Sequence, residues 1–458
     1  MHDATIASVF AALTLALSTT DAGAVRPSPA WVQEGVVYEI FPRVFSQAGD
    51  FNGVTSQLDR IKSLGVNILY LMPVNLQGKL KSKGSRGSPY AVRDYYSINP
   101  DYGDAASLKR LVKAAHERGL RVILDVVANH TSWDAVLISQ HPEYYVHDAA
   151  GRILPPRPEW DDVAHLDYRN PDLRRYMTDM LVHWLREFDL DGYRCDAAGE
   201  LPTDFWEHAR TALEAVKPDL MLLAEWEKPE LLSRAFNLDY SWKFYQTLDS
   251  VVQGHTPAKD VRTAWERSAA LYGAGALRLR FIDNQDESRA VVRFGLSAST
   301  AAAAIILTMD GVPLIYNGME AGDTSESTAP ALFERIPIFW PIAERRPEIT
   351  KFYRSMIELR RNHVALTHGE LHWLHNTDEQ RVVTFERVTP SERLVIIANL
   401  SSQPFSGGVE VVAGEYLDIT PAWHPASVTS AASGIVSTSS GQARIALESW
   451  DFRILRAH

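Results

Sequence analysis

The sequence predicts an α/β chain: a (β/α)8 TIM barrel with an inserted subdomain after strand 3 and an all-β C-terminal domain. Three observations predict it. From Val36 onward, short apolar runs alternate with amphipathic helical stretches, which implies a parallel sheet with crossover helices. About eight such units follow one another over roughly 330 residues, a length that suits a barrel with insertions. Past about residue 365 the helical pattern stops, and short β-rich runs separated by turn residues replace it.

An apolar run from Ile6 to Leu17 leads to Ala22-Gly23-Ala24, an ending with the small residues of a cleavage site. It is too short to span a bilayer. Residues 1–24 are therefore expected to be a signal peptide, and the chain to be secreted or periplasmic, although Met1-His2-Asp3 lacks the usual basic residues. The barrel is expected over 25–130 and 171–365. Its strand candidates are 36–42, 67–73, 121–129, 192–197, 221–226, 277–284 and 314–318, with a weaker run at 236–242. Helix candidates lie between them at 54–64, 105–118, 173–188, 204–216, 257–271 and 297–308. A doubly wound sheet would need a Gly-rich phosphate turn after the first strand, and Tyr38-Glu39-Ile40-Phe41-Pro42-Arg43 has none.

The connection from Asn129 to Pro171 is long, aperiodic and rich in Pro, His, Asp and aromatic residues. Such a loop is usually functional, so 131–170 is expected to overhang the barrel mouth. After a helix at 349–362, strand-like runs at 371–374, 382–387, 394–400, 409–412, 443–447 and 452–455 predict a β-sandwich over 366–458. The small-residue stretch 426–440 reads as a loop.

The 458 residues are 46% hydrophobic, ample for a large core and a smaller one. The net charge of −11 argues against nucleic acid and against anionic membranes, and leaves an uncharged substrate open. The single cysteine, Cys195, rules out an intrachain disulfide.

In such a barrel the reactive groups sit where strands end. Here those ends carry Asp125 and His130, then Arg194 and Asp196, then Glu225, then Asp283 and Asp286. Burying several carboxylates together is costly without counter-charge. Residues i and i+2 of a strand face one side, so Arg194 is expected to lie beside Asp196 and keep it ionised. Glu225, facing other acids, is expected to retain a proton. A nucleophile paired with a general acid is what glycosidic cleavage requires. Other barrel chemistries lack their marks: there is no His-x-His on strand 1, and Lys228 stands in a charged loop.

The motifs VVYEIFPRVF, DVVANH, LDYRNP, GYRCDA, LLAEWE, FIDNQD and GVPLIYNGME stand in order from about Val36, and the chain resembles the α-amylase family of retaining glycoside hydrolases. The resemblance implies Asp196 as nucleophile, Glu225 as acid/base and Asp286 as third carboxylate. It also implies Arg194, His130 and Tyr90 around the sugar, with Asp94 in the same loop as Tyr90, and Asp125 as structural support. Trp160 of the insertion is a further candidate for stacking on sugar. Gln285 stands where the family usually has His; its amide can donate to a hydroxyl but carries no charge. No cofactor is implied for the chemistry. A structural calcium is implied between barrel and insertion, with Asn129 and Asp167 as ligands and Asp161 or Asp162 nearby. Ala197-Ala198-Gly199-Glu200, however, departs from the Lys-His that many members carry after the nucleophile. The implied substrate is an α-glucan oligosaccharide or polysaccharide.

Overall fold

The computed structural model describes residues 25–422 and 435–458. The expected signal peptide lies outside these residues. Eight parallel strands close a barrel: β1 Val37–Ile40, β2 Ile68–Leu71, β3 Arg121–Val126, β4 Gly192–Cys195, β5 Met221–Ala224, β6 Leu238–Tyr240, β7 Leu277–Arg280 and β8 Val312–Tyr316. Each strand pairs with its neighbours in sequence, and β8 pairs back onto β1. The strands are buried on both faces because helices cover them outside and side chains fill the inside. That is why they read as continuous apolar runs and not as alternating ones.

Local chemistry sets the helix ends. Asp104 caps Ala105–Glu117 by accepting from the Ser107 N–H at 2.8 Å, with Ser107 returning the bond. Asn170 caps Pro171–Glu187, whose first residue is a proline that has no N–H to lose. The helix expected at 54–64 is broken into Phe51–Thr55 and Leu58–Ser63. Its start lies earlier because Asp50 accepts from the Gly53 N–H at 2.7 Å. A helix at Trp242–Val252 went unread, since its aromatic and β-branched residues look like a continuation of the weak strand run before it.

The insertion is ordered by a short antiparallel ribbon, His130–Ser132 with Val163–His165. His130 thus opens the insertion. A second ribbon, Asn75–Gln77 with Val92–Ile98, follows β2. The C-terminal part holds a six-stranded sheet and a two-stranded one. Two of its strands, Gly414–Asp418 and Ile435–Thr438, were not expected. The second corrects the end of the loop reading at 426–440; residues 426–434 lie outside the described ones. Small and hydroxylated residues hid a strand whose partner supplies the ladder. Among the described residues no helix is long and apolar enough to cross a membrane.

β4 carries Arg194 and leads into Asp196, and one glycine lets it lie against β5. Gly192 has φ +147°, and a Cβ placed there would sit 1.9 Å from the Met221 carbonyl oxygen. Replacing it forces two paired strands apart. Gly192→Ala is expected to lower the melting temperature by roughly 5 °C or more, or to leave the protein insoluble. A circular-dichroism melt within a degree of the parent would contradict this packing.

Candidate active site

Arg194 lies inside the barrel with its side chain fully buried. Its Nη1 is 2.9 and 3.1 Å from the two oxygens of Asp125 and 2.9 Å from Asp196 Oδ1. Its Nη2 stands 2.6 Å from Glu225 Oε1. Its Nε points at the Tyr240 hydroxyl, 3.4 Å away. The rings of Tyr70, Tyr90 and Tyr240 surround the guanidinium at 5.9, 5.8 and 5.6 Å. Tyr70 and Tyr90 both donate to Asp125 Oδ2, at 2.6 and 3.2 Å. One cation therefore touches three carboxylates, and the tyrosines fix the deepest of them.

This corrects the expected asymmetry, in which Arg194 served Asp196 and left Glu225 without a cation. The two-residue periodicity of a strand finds partners on that strand only. In parallel register Arg194 lies opposite Asp125 on β3 and Leu223 on β5, so both neighbouring strand ends are within reach. Nη1 donates to Asp125 and Asp196, and Nη2 meets Glu225 as an ion pair.

The electrostatics follow from too many acids for one cation. Burial, followed by the charge of Glu225, pushes Asp196 well above the ordinary carboxylate range, against the pull of Arg194. The guanidinium of Arg194 lowers the proton affinity of Asp196, opposing burial and Glu225. Burial pushes Asp125 up to about 6. Asp286 is pushed up to about 7, first by desolvation among its protein neighbours and then by Glu225. Its side chain opens to the cleft, so water softens that push. Burial and the nearby His165 push His130 down to about 3. Such a low value favours the neutral imidazole near pH 7.

The remaining candidates divide. Gln285 is buried and donates from Nε2 to Asp286 Oδ2 at 2.8 Å, while Asn284 accepts from the Asp286 N–H at 3.0 Å. The amide thus holds the third carboxylate from the side. Trp160 meets the His130 ring edge-on at 5.7 Å. Asp94 is not brought to the cluster. Its oxygens accept from the Tyr96 N–H and the Ser97 hydroxyl, and it lines a separate cleft with Tyr96 and Tyr176. Tyr90 lies before the strand Val92–Ile98 and Asp94 within it, so nearness in sequence concealed this.

Sequence reasoning missed several contributors. Tyr70 and Tyr240 are interior tyrosines whose hydroxyls serve the ionic cluster. Glu39 on β1 is fully buried, neither of its oxygens has a hydrogen-bond partner among the described residues, and burial pushes it well above the ordinary range. A glutamate inside an apolar strand was the available signal. Ala197 adopts a left-handed conformation, φ 44°, and its N–H donates to Glu225 Oε2 at 2.9 Å. A cavity of about 640 Å³ opens elsewhere, between the helices Trp242–Val252 and Lys259–Tyr272, and contains none of these reactive residues.

The α-amylase catalytic-domain model matches residues 33–161 and 158–355. The chain belongs to the α-amylase family of glycosidases. It is 28% identical to α-amylase MalA of Haloarcula japonica over 428 residues, which is 87% of this chain but only 62% of MalA. It is 27% identical to a cyclomaltodextrinase of Geobacillus thermopakistaniensis, covering 82% of this chain and 70% of that enzyme. In structure it resembles the maltogenic α-amylase AmyB of Thermotoga neapolitana, with TM-score 0.84 and 28% identity over 93% of this chain and 99% of AmyB.

The calcium that family resemblance implies does not suit the residues present. Both Asp167 oxygens are taken by Arg169, at 2.7 to 3.1 Å. Asp161 and Asp162 face the Lys83 ammonium at 3.0 and 2.9 Å. The Asn129 amide nitrogen turns to His130 Nδ1 at 3.4 Å. Each acid expected to bind a divalent ion is already neutralised by a side-chain cation. Among the described residues no three His, Cys, Asp or Glu side chains gather as a metal site.

Crowded acids carry a stability cost with a defined sign. A carboxyl whose folded pKa is raised stabilises the fold below its unfolded pKa, and that stability is lost as pH rises through the folded value. Asp196→Asn removes the charge. Its melting temperature is expected to exceed the parent's by a few degrees at about pH 8, the gain shrinking as pH falls toward 4. A variant less stable than the parent at pH 8 would contradict the electrostatic picture.

Proposed function

We propose that the protein is a retaining glycoside hydrolase that cleaves α-1,4-glucosidic bonds in starch-derived glucans and maltooligosaccharides through a covalent glycosyl-enzyme. The single observation that carries this reading is the guanidinium of Arg194 shared by Asp196 and Glu225. Held by one planar group, the two carboxyls are kept close, which favours the spacing of about 5–5.5 Å for double displacement over the wider gap that inversion needs.

In this reading Asp196 Oδ attacks the anomeric carbon while Glu225 gives its proton to the departing glycosidic oxygen. The bond from carbon to that oxygen breaks as the ester forms. Esterified Asp196 has lost its charge, and the repulsion that Asp196 and Glu225 exert on each other goes with it. Glu225, ionised by giving up its proton, then takes a proton from water, whose oxygen displaces Asp196. Glu225 thus serves as acid in the first step and as base in the second. Asp286, fixed by Gln285, and neutral His130 are placed to hydrogen-bond sugar hydroxyls, and Tyr90 offers its ring.

The relatives named cyclomaltodextrinase and maltogenic amylase support a glucan substrate and favour small glucans. Exo action, α-1,6 cleavage and transfer of the glycosyl unit to a second sugar share the same intermediate and form the alternatives. Export through residues 1–24 belongs to the same reading, and N-terminal sequencing of protein from the culture medium or periplasm checks it.

The expected result by proton NMR is that maltoheptaose releases products first in the α-anomeric form, with maltose and isomaltose cut slowly. First appearance of the β-anomer would end the retaining assignment. Glu225→Gln is expected to lower kcat by at least about a thousandfold on maltoheptaose. Activity within tenfold of the parent would remove Glu225 from the mechanism.

A further inference from the structure

One stretch of the insertion, 157–162, is fastened at both ends. At its far end the Lys83 ammonium sits among three oxygens: Asp161 Oδ1 at 3.0 Å, Asp162 Oδ1 at 2.9 Å and the Glu159 carbonyl at 3.2 Å. Trp133 Nε1 also donates to the Asp161 carbonyl at 2.8 Å. At its near end the Arg157 guanidinium is ion-paired with Glu200 and lies over the Trp160 ring, 4.9 Å from its centre. Trp160 in turn meets His130. A continuous chain of contacts therefore runs from Glu200 through Arg157 and Trp160 to His130.

Glu200 locates this chain relative to the chemistry. It ends the short turn Ala198–Glu200 that follows Asp196. The N–H of Ala197, just before the turn, donates to Glu225. Gly199 lies so tightly on Trp226 that a Cβ would come within 2.2 Å of the indole. The turn thus packs on the strand end that carries the proposed acid/base. A group that protonates the leaving oxygen stands on the leaving-group side of the cleaved bond. Water or an acceptor sugar enters on that same side. The bridge from Glu200 to Arg157 joins the barrel rim to the insertion there.

We propose that the Arg157–Glu200 bridge determines substrate length by tying the insertion across the leaving-group side of the cleft and seating Trp160 as its wall. The proposal rests on the glucan-hydrolase reading above. A closed bridge leaves room for a short leaving group and stands in the way of a long one. Its side chains are 41% and 32% exposed, so salt reaches the pair and weakens it.

The test compares kcat/KM for maltoheptaose and maltotriose in the parent, Glu200→Gln, Arg157→Gln and the double variant, at low salt and at high sodium chloride. The expected result is a rise in the maltoheptaose-to-maltotriose ratio of about fivefold in each single variant, through a lower KM for the longer chain. The double variant should add nothing further, and high salt should move the parent toward the variants. An unchanged ratio, or an equal loss of kcat on both substrates, overturns the bridge as a length selector while leaving glucan hydrolysis standing. A parent that cuts neither substrate overturns the underlying reading, and the proposal with it.

Discussion

A single buried guanidinium is the constraint on which the centre of this protein depends. Arg194 has no exposed side-chain surface, and it contacts Asp125, Asp196 and Glu225 from three adjacent strands. A charge that deep is tolerable only if it is matched and hydrogen-bonded. The barrel supplies both conditions. Parallel register sets Asp125 beside it, the following strand brings Glu225, and three tyrosines enclose the remainder. Loss of the closed barrel would separate these groups and leave each one expensive.

The same crowding gives the site its chemistry. Burial raises the proton affinity of Asp125, Asp196 and Asp286, the charge of Glu225 adds to it, and the pull of Arg194 opposes it. Removing charge from one carboxylate changes its neighbour's affinity for a proton. A two-step reaction that alternately consumes and restores a carboxylate charge is matched to such a site. The expected cost is lower stability at higher pH, a familiar consequence of assembling like charges for function.

Much of the barrel and of the carboxylate cluster was legible in the sequence, because strand ends in a parallel barrel converge on one rim. Asp125, Asp196 and Glu225 could be placed from strand position alone. The sharing of Arg194 could not, since it depends on register between strands that are far apart in sequence. Asp94 illustrates the same limit: its neighbour Tyr90 reaches the cluster, whereas a ribbon turns Asp94 away. Acidic residues in a loop do not reveal which cation will face them, and here Lys83 and Arg169 face the acids considered as calcium ligands. Helix Trp242–Val252 escaped notice because its side chains suit either element. The insertion, whose contacts are made by lysine, arginine and tryptophan side chains from distant segments, gave the weakest local signal of all.

The central claim is that Asp196 becomes esterified by sugar. Incubation with a fluorinated glucosyl fluoride, which forms the ester quickly and hydrolyses it slowly, followed by proteolysis and mass spectrometry, tests this most directly. The account predicts a single glucosyl adduct on the peptide containing Asp196, absent from Asp196→Asn. An adduct on another residue, or turnover of the reagent with no adduct and with inverted product, would contradict it.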